Sequence, residues 1–149
     1  NCCQKTWGEG PYGREKHFYG ERNENRNSLS TRATARFLEA LMTNLLLPPL
    51  AGKRIKKLLS RSLDLYERKL NPENQIDGFF GAGLPVENNI WSKAGWMSEV
   101  RHDAAWCQEQ GQSPMLLVIF SQGKELSNDS YLFPSLAAEL NTIHKNMSF

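Results

Sequence analysis

Several short clusters in this sequence carry residue types that can do chemistry. Lys93-Ala94-Gly95, with Ser92 before it and Trp96 after it, puts a cation beside a glycine. Such a triplet says little by itself, because lysine and glycine are both common in this chain. Its weight depends on the element that carries it. His102-Asp103 has the composition of a proton-handling dyad, but it falls in a polar stretch where a turn is expected anyway. Gly8 to Gly13 spells G-x-G-x-x-G, the spacing that lets backbone N–H groups cradle a pyrophosphate. No strand fits before it and Pro11 interrupts it, so no dinucleotide is expected. Cys2, Cys3 and Cys107 contain no C-x-x-C pair, and His17, His102 and His144 have no metal-ligand spacing. No metal and no other cofactor is therefore expected. Adjacent cysteines rarely bridge each other without strain, so the three thiols make a poor disulfide framework.

The positioning elements follow from periodicity. Residues 1–29 are polar, are broken by Gly8, Gly10, Pro11, Gly13 and Gly20, and show no apolar period. They read as an irregular loop segment. Ser30 or Thr31 then caps a helix whose apolar stripe is Phe37, Leu38, Leu41, Met42 and Leu45, and Pro48-Pro49 ends it. A second helix is expected over about 52–68, burying Ile55, Leu58, Leu59 and Leu65 or Tyr66. Its other side, rich in Lys53, Arg54, Lys56, Lys57 and Arg61, reads as a solvated basic face. Residues 71–89 are loop around Phe79-Phe80. Extended segments follow over 90–97 and 104–108, joined by a polar turn over 99–103. The continuous apolar run 115–120 reads as a central strand covered on both faces. Short connections imply an antiparallel ladder. Asn128, Asp129 or Ser130 caps a last helix over 130–147, with Leu132 or Phe133, Leu136, Ala137, Leu140, Ile143 and Met147 inward and Pro134 in its first turn. The expected fold is α+β: a three-stranded antiparallel meander packed by the C-terminal helix, preceded by a two-helix segment and the irregular N-terminal loop. Residues 30–149 form one unit, with helices within 30–70 and the sheet and last helix within 90–149.

The chain has 149 residues, and 18 basic against 16 acidic side chains leave a net charge of +2. That is too small to argue for a nucleic-acid partner. No segment nears the roughly 18 apolar residues of a membrane span, so none is expected. The length suits one domain or a piece of a larger one. The first residue is Asn1, so no leader is available to read the compartment from.

The Lys-x-Gly triplet thus lies on the first strand of a meander that is followed by a buried strand and a C-terminal helix. In that order the chain, from about Ser30 onward, resembles the C-terminal part of a class A β-lactamase-like, penicillin-recognising serine hydrolase. Ser30-Thr31-Arg32-Ala33-Thr34-Ala35 resembles the start of the helix after that family's active-site loop. Ala51-Gly52-Lys53 resembles the next helix, and Gly83-Leu84-Pro85 its closing turn. Lys93-Ala94-Gly95 falls where the family keeps Lys-Thr-Gly or Lys-Ser-Gly. The resemblance implies that Lys93 anchors a substrate carboxylate and that Gly95 lets the substrate approach the strand edge. It also implies that the backbone N–H of Trp96 is half of an oxyanion hole. Ala94 departs from the pattern, because it has no hydroxyl to donate.

The family's nucleophile lies in Ser-x-x-Lys. The one match, Ser121-Gln122-Gly123-Lys124, comes after the apolar strand in a glycine-containing loop, which is the wrong place. No Ser-x-Asn or Tyr-x-Asn exists. Glu21 and Glu24 lie near the expected floor loop, but no family pattern gives them a role. The sequence thus suggests the C-terminal portion of a hydrolase of amides or β-lactams, inactive alone. The nucleophile would come from a missing N-terminal portion of the same domain or another protomer. A non-catalytic binding or assembly module on the same fold is the alternative. By resemblance the compartment would be periplasmic or extracellular. Trp91, Trp96 and Trp106 are expected against helices, and the bare sheet edge implies that the chain is not a stable lone monomer. Asn128-Asp129-Ser130 and Asn146-Met147-Ser148 fit the glycosylation sequon, but neither needs a sugar.

Overall fold

The computed structural model describes Tyr19 and residues 28–147. The glycine motif of residues 8–13, Cys2, Cys3, His17, Glu21, Glu24 and the loop expected over 1–29, Tyr19 apart, lie outside the described residues. Helix α1 spans Thr31–Met42, and the Oγ of Ser30 accepts from the Ala33 N–H at 3.2 Å, as the sequence implied. Its buried stripe is narrower than expected: Leu38 and Leu41 are covered, whereas Phe37 and the downstream Leu45 are exposed.

The helix expected over 52–68 is two helices. α2 runs Pro49–Leu59, with a proline in its first turn where no N–H is needed. The chain then extends through strand β1, Ser60–Arg61, and re-enters a helix as α3, Leu65–Leu70. The break has a local cause. Asp64 caps α3, its Oδ1 accepting from Tyr66 N–H at 2.9 Å and Glu67 N–H at 3.0 Å, and a cap residue cannot also sit inside a helix. Leu58, Leu65 and Tyr66 consequently face outward, while Ile55 and Leu59 still pack inward.

The sheet has four strands, not three, in the order β1-β2-β3-β4, all antiparallel: β2 is Asn89–Met97, β3 Val100–Gln108 and β4 Met115–Gln122. The turn expected over 99–103 shrinks to Ser98-Glu99, because Arg101 and Asp103 are strand residues with buried side chains. β4 borders the sheet among the described strands instead of lying centrally. Its apolar run reflects cover on both faces, not a place between two strands.

On one face, Leu38, Leu41 and Ala104 form a core with Ile55, Leu59, Trp106, Leu116 and Val118 under α1 and α2. On the other, Ile90, Ala105, Cys107 and Leu117 meet Phe80 and Phe133 under a 3-10 turn, Phe80–Gly83, and helix α5, Leu132–Met147. A short helix α4, Lys124–Asn128, precedes α5 and was not foreseen. Asp129 caps α5, its Oδ1 accepting from Tyr131 and Leu132 N–H at 2.8 and 3.1 Å. Leu132, Phe133, Ala137 and Leu140 pack inward, but Ile143 and Met147, expected inside, are exposed. Trp106 packs against the helices, whereas Trp96 is 60% exposed. No helix among the described residues is long and apolar enough to cross a membrane.

The 3-10 turn meets α5 backbone to backbone. A Cβ on Gly83 would lie 1.9 Å from the Pro134 carbonyl oxygen, so neither partner can yield by turning a side chain. Gly83→Ala is expected to destabilise the fold by about 1–3 kcal/mol through overpacking, read as a lower urea midpoint. An unchanged midpoint would mean that this contact is loose.

Candidate active site

The triplet singled out in the sequence lies on an open strand edge. Consecutive residues of an antiparallel strand turn their N–H and C=O groups to alternate sides. At Ala94 these groups point away from β3: its N–H donates to Oε1 of Gln75 at 3.3 Å, and its C=O accepts from the Lys93 ammonium. The same alternation turns the Trp96 N–H to this edge. Beyond its chain neighbours, Gly95 has no heavy atom within 4 Å of where a Cβ would stand, so the face of the strand that it shares with Lys93 is open at that point.

Ala94, Gly95 and Trp96 border an open cleft of about 810 Å³, which Gln75, Asp77, Tyr131 and Pro134 also line. Lys93 is not part of its lining. Its side chain leaves the strand on the α1 face, as its pairing with Ala104 requires, and its ammonium folds back to the edge at Ala94. Side chains alternate along the strand, so Ala94 and Trp96 belong to the α5 face.

Arg101, which the sequence reading placed in a turn, forms the cationic floor of this cleft. It is 6% exposed and faces Trp96 across the ladder. Its Nε donates to the Ser127 carbonyl at 2.9 Å and its Nη1 to that of Gly78 at 2.8 Å. The guanidinium carbon lies 5.0 Å from the Phe79 ring centre and 5.4 Å from that of Trp96. The Trp96 indole N–H is fixed on the same Ser127 carbonyl at 2.8 Å. No carboxylate among the described residues forms a salt bridge with Arg101. Burial lowers its pKa, while the more distant Asp129 raises it. A held cation without a contacting counter-ion is suited to an anionic group entering the cleft. A period-two pattern from Arg101 through Asp103, Ala105 and Cys107 was the signal that could have revealed it.

The neighbouring strand β3 carries a second buried charge. Asp103, opposite Ala94, is 1% exposed; its Oδ2 accepts from the Phe80 N–H at 3.0 Å, and its Oδ1 has no partner. Burial pushes its pKa up to about 6, against the opposing pull of the Phe80 and Ala104 N–H groups and of Lys93 and Arg61. Ser92 Oγ and Arg61 Nε are likewise buried without a partner.

The remaining candidates separate. His102 and Asp103 are strand neighbours and so point to opposite faces, which excludes a dyad. The His102 ring stacks on Phe120 at 4.6 Å, with its Nδ1 2.9 Å from the Arg101 carbonyl oxygen. Ser121 is buried in β4, its Oγ donating to that same carbonyl at 2.7 Å, which leaves it no role as a nucleophile. Cys107 is buried and its thiol is pushed up to about 12, hence protonated and inert. Among the described residues no group of His, Cys, Asp and Glu could hold a metal ion.

Residues 12–143 match the model of the β-lactamase enzyme family. The chain belongs to that family. Solved structures agree in fold: this β-lactamase-family chain superposes on an ancestral class A β-lactamase with a TM-score of 0.61 at 18% identity, over 80% of this chain and 43% of that one. A β-lactamase from Xanthomonas campestris gives 0.61 at 22%, over 81% and 42%. A variant of PBP-A, solved as an acyl-enzyme complex with penicillin G, gives 0.67 at 15%, over 83% and 43%. The chain spans less than half the length of each. No curated protein sequence matches it.

Proposed function

We propose that this chain is the C-terminal portion, over residues 30–149, of a β-lactamase-like serine hydrolase that acts on an amide or β-lactam. The observation that carries the reading is the edge of β2. It combines an outward Trp96 N–H with a cleft whose floor is the cation Arg101. In this scheme Arg101 holds the substrate carboxylate, joined by Lys93 once its ammonium leaves the Ala94 carbonyl, and Gly95 leaves room for the substrate beside the strand. A serine oxygen from an N-terminal portion of the same domain, or from another protomer, attacks the carbonyl carbon. The carbonyl π electrons move onto oxygen, and the Trp96 N–H stabilises that charge as it develops. The serine gives up its proton as it attacks, and the C–N bond then breaks as the leaving nitrogen takes up a proton. Water later cleaves the acyl ester, its OH going to the acyl carbon and its proton back to the serine oxygen. Ala94 contributes its place on the strand but no hydroxyl.

That missing hydroxyl, together with the Lys93 ammonium bound to its own strand, supports a second reading: a non-catalytic binding or assembly module on the same fold. Intact-mass spectrometry of the natively purified protein, with and without benzylpenicillin, separates the two. The hydrolase reading expects a penicilloyl adduct on a companion polypeptide or on a longer form of this chain, and none on the 17.0 kDa species alone. A single unmodified 17.0 kDa species would overturn it in favour of the module.

A further inference from the structure

The β2 edge is open at Trp96 and closed immediately before it, and the closure is made by side chains. β1 covers the strand only at Ile90 and Trp91. Beyond that point Arg61 Nη2 donates to the Ser92 carbonyl at 3.1 Å, and Gln75 Oε1 accepts from the Ala94 N–H at 3.3 Å. Lys93 donates to the Ala94 carbonyl. Gln75 is itself held, because the same Oε1 accepts from Arg61 Nη2 at 3.3 Å, and Arg61 Nη1 is fixed on the Leu58 carbonyl at 2.8 Å. The loop on either side is equally tied: Asn74 Oδ1 accepts from the N–H groups of Ile76 and Asp77 at 3.0 and 2.9 Å. The carboxamide oxygen of Gln75 therefore stands where the carbonyl of an extended ligand would stand if it paired with Ala94.

We propose that Gln75 is a specificity-determining residue of this edge. With the Ala94 N–H taken, a ligand can use the Trp96 N–H alone. The site then takes compact acyl compounds and turns away extended peptides, whose backbone must bridge both positions. This inference rests on the ligand-binding reading of the β2 edge given above.

The test uses the ¹⁵N-labelled full chain with Gln75→Ala and Gln75→Glu. The alanine variant should speed amide hydrogen exchange at Ala94 by about two- to tenfold, the worth of one hydrogen bond. The glutamate variant should keep exchange slow, since a carboxylate oxygen still accepts from Ala94 and Arg61. NMR titrations with benzylpenicillin and with acetyl-trialanine amide read the specificity. Gln75→Ala should tighten the peptide by about the same two- to tenfold and leave benzylpenicillin unchanged. Unchanged Ala94 exchange, or an equal gain for both probes, overturns the proposal. Faster exchange with neither probe bound to either protein overturns the specificity role together with the proposed hydrolase or module site, and leaves only the hydrogen bond.

Discussion

Asp103→Asn should remove a pH dependence of stability between about pH 4 and 6 and leave the protein more stable at pH 8. The carboxyl is buried on β3, across the ladder from Ala94, with one oxygen on the Phe80 N–H and the other unpartnered. Burial raises its pKa from the ordinary 3.8 to about 6. Between those values the folded state keeps the proton that the unfolded chain has already lost. The folded state binds more protons there, so stability falls as pH rises through the window and is level above it. A gap of that size corresponds to about 3 kcal/mol. Asn keeps an oxygen for the Phe80 N–H and never ionises, so the variant escapes the loss. Asp77 acts in the other sense. Its bond with Arg68 lowers its pKa, and the stability it lends disappears only in stronger acid, below 3.8. Urea unfolding of both proteins at pH 4, 6 and 8 decides the matter. Parallel pH profiles would show that Asp103 is not the group that titrates.

Phe133→Ala should cost about 3–5 kcal/mol, a large share of the roughly 5–15 kcal/mol that holds a domain together. The ring is fully buried on α5, 5.2 Å from the Phe80 ring and 6.4 Å edge-on from that of Phe79. α5, the 3-10 turn and the sheet converge on it, so no single element can close the space it leaves. The loss also reaches the cleft, because Phe79 is one of the two rings on which the Arg101 guanidinium rests. Denaturant unfolding should show a lower midpoint with an unchanged slope. A loss below about 1 kcal/mol would refute close packing of α5 on the sheet.

The parts of the fold that were legible in the sequence are those set by near neighbours. Ser30 and Asp129 announce their helices because a cap acts within three residues. β2 and β4 emerge from their side-chain patterns, and the β2 edge emerges with them. What failed was decided at long range. Arg101 and Asp103 look like turn residues, and only carbonyls 26 and 23 residues away, at Ser127 and Gly78, and the N–H of Phe80 make them strand residues. β1 is two residues with no pattern of their own, visible only through their pairing with Ile90 and Trp91. Gln75 gave no signal, since its meaning lies in what its oxygen meets on another strand.

The order of the strands in the sheet is also their order along the chain. The two long ladders, β2 with β3 and β3 with β4, therefore arise from nearest-neighbour hairpins, whose loops close rapidly. β1 is the exception. It must bring Arg61 back to Ile90 across a long intervening segment, and it gains only two paired residues in doing so. Such an element docks late and detaches early, at a small fraction of the cost of global unfolding. Because β1 carries the arginine that steadies Gln75, the strand rim beside Ala94 breathes on its own while the meander beneath it stays intact.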